Sequence, residues 1–192
     1  LIASTEGKKS RAIVEYGIEA LKAVWHRGAV DADGKTGDGA GIHVEIPYDF
    51  FSEKIETKGH KHDNSEICVG MIFLPRDNFS VQEDCKTIVE KELTISNFKI
   101  YGWRQVPINT KVLGVKANSN RPEITQILFK HNDKKLVDKD LERKLYEIRR
   151  KIENQIIKSN IEGFYICSLS SKSIIYKGMF LAEALSDFYP DL

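Results

Sequence analysis

A chain of 192 residues has room for one ordinary domain with a sizeable core, and 41% hydrophobic with 30% charged residues excludes disordered, collagenous and coiled-coil classes. Its 29 basic and 28 acidic residues leave a formal charge of +1, which gives no bulk attraction to nucleic acid or anionic membranes. With no apolar run of about 18 residues and no signal-peptide pattern, a soluble, cytoplasmic protein without nucleic-acid or membrane partners is expected.

The chain opens on Leu1-Ile2-Ala3-Ser4, which reads as the stub of an apolar strand. From Ser10, the spacing of Val14, Ile18, Leu21 and Trp25 predicts a helix of about four turns, capped by Ser10 and stopped by Gly28. A glycine-dense loop follows over residues 33–41, then alternation over residues 42–46 predicts a half-buried strand ended by Pro47. Residues 48–58 suit a short helix and residues 60–65 a polar loop.

The continuous apolar run 67–74 predicts a buried strand closed by Pro75. Ser80 and Glu83 then have capping-box spacing at the start of a helix carrying Cys85, Ile88, Val89 and Glu92. Strands are predicted over 98–106 and 123–130, both as members of a central sheet. Asp140 is placed as the cap of the longest helix, with Leu141, Leu145, Ile148, Ile152 and Ile156 on its apolar stripe and its basic residues on a solvated face. Two β-rich segments, 164–169 and 173–177, are separated by a length that fits a hairpin. Helices alternating with strands point to an α/β or α+β domain.

Chemistry is sparse. The richest segment pairs Trp25-His26-Arg27-Gly28-Ala29 with Thr36-Gly37-Asp38-Gly39-Ala40-Gly41. Such glycine density permits left-handed backbone and close approach of another chain or a ligand, and Arg27 offers a fork of donors to a carboxylate or backbone oxygen. The competing reading is a tight connection, with Arg27 bracing a helix end. A phosphate loop does not fit, because Gly37-x-Gly39-x-Gly41 precedes a strand. His60, His62, Asp63 and Cys68 match no standard metal spacing, so no metal site is expected. Cys68, Cys85 and Cys167 lie in or beside apolar runs, where a thiol is protonated and inert.

The His26-Arg27-Gly28 and Thr36-Gly37-Asp38-Gly39-Ala40-Gly41 pair resembles the class II glutamine amidotransferase domain of the glutamate synthase family. Further matching segments are Gly70-Met71-Ile72-Phe73-Leu74-Pro75, Gly102-Trp103-Arg104-Gln105-Val106-Pro107, Glu142-Arg143-Lys144-Leu145-Tyr146, Ser168-Leu169-Ser170-Ser171, Tyr176-Lys177-Gly178-Met179 and Tyr189-Pro190-Asp191-Leu192. The likeness spans residues 1–192, read as a partial domain.

That resemblance implies an α+β, four-layer αββα N-terminal nucleophile hydrolase fold, here incomplete. It implies a mature N-terminal cysteine as nucleophile, with its own α-amino group as base. That cysteine is expected immediately upstream of Leu1, so no catalytic residue is assigned within the chain. The carboxylate-gripping arginine and the oxyanion-hole pair are expected beyond Leu192. Arg27 and Gly28 are expected near the active site, with Thr36, Gly37, Asp38, Gly39 and Gly41 as a structural loop. The parent would hydrolyse glutamine and deliver ammonia to 2-oxoglutarate. Flavin mononucleotide and an iron–sulfur cluster are implied for that parent and none for this chain. The remainder of the large subunit, with a small subunit or ferredoxin, is the implied partner. The chain alone is expected to be inactive. The rival readings are a non-catalytic structural or interaction module and the glutaminase domain of another amidotransferase.

Overall fold

The computed structural model describes every residue except Trp25, Arg27 and residues 62–66. Among the described residues six α-helices, α1 (Arg11–Ala23), α2 (Tyr48–Glu56), α3 (Phe79–Ile95), α4 (Val115–Asn120), α5 (Asp138–Lys158) and α6 (Leu185–Phe188), accompany six strands. The strands are β1 (Ala40–Glu45), β2 (Cys68–Leu74), β3 (Phe98–Gln105), β4 (Glu123–His131), β5 (Tyr165–Ser170) and β6 (Ser173–Gly178). They form a two-stranded sheet, β1-β6, and a four-stranded sheet of order β3-β4-β2-β5. The class is α+β, as expected.

Two compact units divide the chain. The larger comprises residues 45–106 and 122–174. In it β4 pairs antiparallel with β2 and β3, and β2 pairs antiparallel with β5, so β2 and β4 hold the centre. Their burial is nearly continuous, which explains why both read as apolar runs without alternation.

One face of this sheet presents Cys68, Ile72, Leu74, Ile127 and Phe129 to Cys85, Val89 and Leu93 of α3 and to Leu145, Ile148, Ile152 and Ile156 of α5. Four of the predicted stripe residues of the longest helix, Leu145, Ile148, Ile152 and Ile156, are buried, and Leu141 is partly buried against the same core. Gly70 is needed in β2, since a Cβ there would lie 2.7 Å from Ile127 and 2.9 Å from Leu169. At the edge, β3 shifts register between Ile100 and Gly102, where Gly102 adopts φ +131°.

The smaller unit comprises residues 1–44, 107–121 and 175–192. Ser10 caps α1 as predicted, its hydroxyl accepting from the Ala12 amide at 3.2 Å. The same unit holds an aromatic cluster. Tyr189 stands edge-on to Tyr176 and Phe188 at 5.1 and 4.7 Å, and its hydroxyl donates to the Lys177 carbonyl at 2.8 Å. The final Tyr189-Pro190-Asp191-Leu192 segment thus contributes a wholly buried anchor.

Several local expectations are corrected. Helix α1 ends at Ala23 with Val24 as cap, short of Gly28. Asn78 caps α3, accepting from the Val81 amide at 3.1 Å, which leaves Ser80 inside the first turn and Glu83 paired with Lys86 at 2.8 Å. Helix α5 starts at Asp138, so Asp140 is a first-turn acid favoured by the helix dipole. Residues 1–4 pair with no described strand and stay outside any sheet.

The two last strands are no hairpin. β5 pairs with β2, whereas β6 pairs with β1. The connection is held instead by Glu142, whose carboxylate accepts from the Ser170 hydroxyl at 2.9 Å and from the Ser171 amide and hydroxyl at 2.7 Å each. Tyr48 adds a bond from its hydroxyl to the Ser171 carbonyl at 2.7 Å, and the Lys172 carbonyl accepts from the Ile46 amide at 3.0 Å. A short linker between β-rich runs was compatible with either arrangement; the donors of residues 170–171 go to a carboxylate and leave no hairpin ladder.

Candidate functional site

The glycine-dense segment lies in the smaller unit and folds as a miniature hairpin over residues 29–38. Val30 and Gly37 form an antiparallel bridge, the Asp31 amide donates to the Thr36 carbonyl at 2.9 Å, and the Asp38 amide donates to the Ala29 carbonyl at 3.2 Å. Gly34, at φ +70°, turns the tip, a backbone position that a residue with a Cβ resists.

Beyond the hairpin the chain runs into β1, and here the glycines serve close approach. A Cβ on Gly37 would sit 2.7 Å from the Phe180 carbonyl oxygen, and one on Gly41 would sit 2.9 Å from the Tyr176 carbonyl oxygen. Gly39, at φ +129°, needs left-handed freedom instead. What these glycines approach is the chain's own backbone, residues 176–181.

Thr36 is buried in the loop, 2% exposed. Its hydroxyl donates to Asp33 Oδ2 at 2.6 Å and accepts from the Ala117 amide at 3.3 Å. Asp33 Oδ1 accepts from the amides of Thr36 and Lys35 at 2.7 and 3.0 Å. The Thr36 hydroxyl, then these amides, hold the Asp33 carboxyl well below the usual carboxylate range, with the Lys116 amide adding to the effect. Asp31 is also lowered, first by its hydrogen bond from Lys116 Nζ at 2.8 Å, and the Lys116 ammonium is raised by the same contact.

Gly114 precedes α4 without a side chain of its own to cap it, and a Cβ there would lie 2.2 Å from Asp33 Oδ2 and 2.3 Å from Thr36 Oγ1. The start of α4 and the tip of the hairpin are thus in contact. Asp33, Gly114 and Ala117 were not among the predicted site residues. The Asp33-x-x-Thr36 spacing was the one signal available, since an aspartate accepting from a residue three positions on is a common turn and cap arrangement. The helix it supports was unpredicted, its acceptor lying some 80 residues away in sequence.

Of the other predicted residues, Gly28 is exposed in a bend just before the hairpin, and Asp38 is exposed. Arg27 lies outside the described residues, as do His62 and Asp63. His60 packs against the Tyr101 ring at 5.5 Å. Among the described residues no group of three or more His, Cys, Asp or Glu is arranged to hold a metal ion. No helix among them is long and apolar enough to cross a membrane.

The three cysteines are buried and form no disulfide. Burial pushes the Cys68 thiol far up, with the Glu142 carboxylate adding to it, and burial pushes Cys85 up to about 11, with Asp84 adding to it. Thiols so raised carry almost no thiolate near neutrality and make poor nucleophiles.

Residues 1–192 match the family described as glutamine amidotransferases class-II, and the chain belongs to that family. Its relatives name a particular branch. The chain is 57% identical over 191 residues to the glutamate synthase [NADPH] large chain of Azospirillum brasilense. It is 38% identical to ferredoxin-dependent glutamate synthase 2 of Synechocystis sp. and 39% identical to the ferredoxin-dependent glutamate synthase of Pyropia yezoensis. Each match covers 100% of this chain and 12% of the relative, so the chain spans about an eighth of the length of the relatives it matches.

Proposed function

We propose that the chain is the scaffold of the glutaminase domain of a cytoplasmic glutamate synthase, whose parent releases ammonia from glutamine and delivers it to 2-oxoglutarate. The observation that carries this reading is the 57% identity to a glutamate synthase large chain across the whole chain, which takes in the glycine hairpin and its contacts. Higher identity to the NADPH relative than to the ferredoxin-dependent ones favours a parent supplied with electrons through a small subunit. Flavin mononucleotide and the iron–sulfur cluster would belong to other parts of that parent.

The chemistry such a domain performs is attack of a thiolate on the glutamine amide carbon. The proton lost by the thiol passes to the amide nitrogen, so collapse of the tetrahedral adduct expels ammonia and leaves a thioester, which water hydrolyses to glutamate and the free thiol. Buried Cys68, Cys85 and Cys167 are unsuited to the attack, and Cys68 and Cys85 are further disabled by their raised thiols. The attacking thiol is therefore none of the three. The purified chain incubated with glutamine is expected to release no ammonia above background. Saturable release by this polypeptide alone would overturn the exclusion of these three thiols.

A further inference from the structure

Helices α3 and α5 cover one face of the four-stranded sheet, and cationic side chains gather at the β3 edge of the other. In the β3–β4 register Lys99, Gly102 and Arg104 stand opposite Lys130, Leu128 and Gln126, while Ile100 and Trp103 on alternate rungs join the α3–α5 core. Lys99 and Arg104 therefore belong to the face away from that core. Helix α2 brings Phe50 and Lys54 to the same place, with Lys58 just past its end. Lys54 Nζ and Arg104 Cζ each stand 5.1 Å from the centre of the Phe50 ring, and Lys54 Nζ is 3.7 Å from Glu53. Lys58 lays its stem across β3 at Gly102, its Cδ and Nζ 3.6 and 3.7 Å from the position a Cβ would take. Lys99 Nζ stands 5.5 Å from the Tyr101 ring.

These lysines are seated against rings and backbone, which a solvated charge run does not require, so part of the cost of ordering them is already met. Lys58 and Lys99 remain exposed. β3 is also an end strand of the sheet, and among the described residues it pairs with β4 alone. Lysines and a register shift make such an edge repel a like strand, because a second copy would bring the same charges. An acidic strand meets the opposite condition. Polypeptide suits this edge better than nucleic acid: a strand can also use the backbone groups of β3, and the formal charge of +1 gives no wider attraction to phosphate.

We propose that Lys58 and Lys99, with Lys54 beside them, form a docking surface for an acidic segment of the parent polypeptide from outside residues 1–192, laid along the edge of β3. This rests on the reading of the chain as one part of a longer glutamate synthase subunit, since it spans 12% of the relatives it matches.

The experiment is zero-length carbodiimide coupling of lysine amines to carboxylates in the longest natural polypeptide carrying this chain, mapped by mass spectrometry, for wild type and Lys58→Gln/Lys99→Gln. Wild type is expected to join Lys58 or Lys99 to an aspartate or glutamate outside residues 1–192, and Lys54 to the same peptide. In the double variant that Lys54 link is expected to fall about fivefold, two exposed ion pairs having been removed. The exposed Lys172–Asp138 pair, 2.7 Å apart, should couple equally in both and so reports that the variant is folded. Coupling of the three lysines only within residues 1–192, only to a second polypeptide, or not at all while Lys172 couples to Asp138, overturns the proposal. So does nucleic acid that co-purifies with wild type and is lost from the variant. Should the variant fail to fold, the wild-type map alone decides. A natural polypeptide yielding no peptide outside residues 1–192 would remove the underlying reading instead, and so separates the two failures.

Discussion

Replacing Gly37 with alanine tests the reading of the glycine loop as a close-packed junction. Gly37 has no positive φ, so alanine can adopt its backbone conformation, and the whole cost comes from where the new methyl must go. That methyl would lie 2.7 Å from the Phe180 carbonyl oxygen, 2.8 Å from the Phe180 carbonyl carbon and 3.0 Å from the Leu181 nitrogen. All three are backbone atoms that cannot rotate away, which places the change near the upper end of the ~1–3 kcal/mol typical of overpacking. At roughly 2–4 °C per kcal/mol for a chain of this size, a destabilisation of ~3 kcal/mol lowers the melting temperature by ~6–12 °C.

Gly34→Ala supplies the contrast. Gly34 has nothing within 4 Å of the Cβ position but holds φ +70°, so its penalty is conformational. That penalty is ~1–2 kcal/mol, partly offset by ~0.4–1 kcal/mol from restricting the unfolded chain. Urea unfolding of the two variants should therefore separate them by ~2 kcal/mol, with Gly37→Ala the weaker. Equal stability, or the reverse order, would refute the claim that residues 176–181 press on the loop.

Glu142→Ala removes three hydrogen bonds from residues 170–171 and is expected to cost ~2–4 kcal/mol, since charge-assisted bonds are lost and donors are stranded. Denaturant unfolding checks it, and a loss under ~1 kcal/mol would show that the β5–β6 connection does not depend on this carboxylate. Asp33 has a folded-state pKa below its ordinary 3.8, so its contribution is present in full above that value and lost as pH falls through the folded value. The stability gap between wild type and Asp33→Asn should stay constant at neutral pH and close on acidification below about pH 4; a gap that widens in acid contradicts the hydrogen-bond assignment. Iodoacetamide is expected to leave Cys68 and Cys85 unmodified in the folded protein and to label both once it is unfolded in urea, as mass spectrometry would report.

Much of the fold was legible because periodicity reports burial. The stripe of α5 and the apolar runs of β2 and β4 are core positions, and Ser10 is a cap read directly from the sequence. What stayed hidden depends on partners remote in sequence. Ser170 and Ser171 look like turn residues until Glu142 is seen to claim their donors. The start of α4 carries no capping side chain, because Asp33 and Thr36 come to it from the hairpin. The glycine loop was recognisable as a unit, yet the reason for each glycine divides between left-handed backbone at 34 and 39 and crowding at 37 and 41, a division that spacing alone does not encode. For α3, Ser80 had capping-box spacing, but the Val81 amide donates to the Asn78 side chain and makes Asn78 the cap.

The most direct test of the central claim is to treat the longest natural polypeptide carrying this chain with an electrophilic glutamine analogue and to map the modified thiol by mass spectrometry. The account predicts one glutamine-protectable label, on a cysteine outside residues 1–192, with Cys68, Cys85 and Cys167 unlabelled. A glutamine-protectable label on any of those three would contradict it.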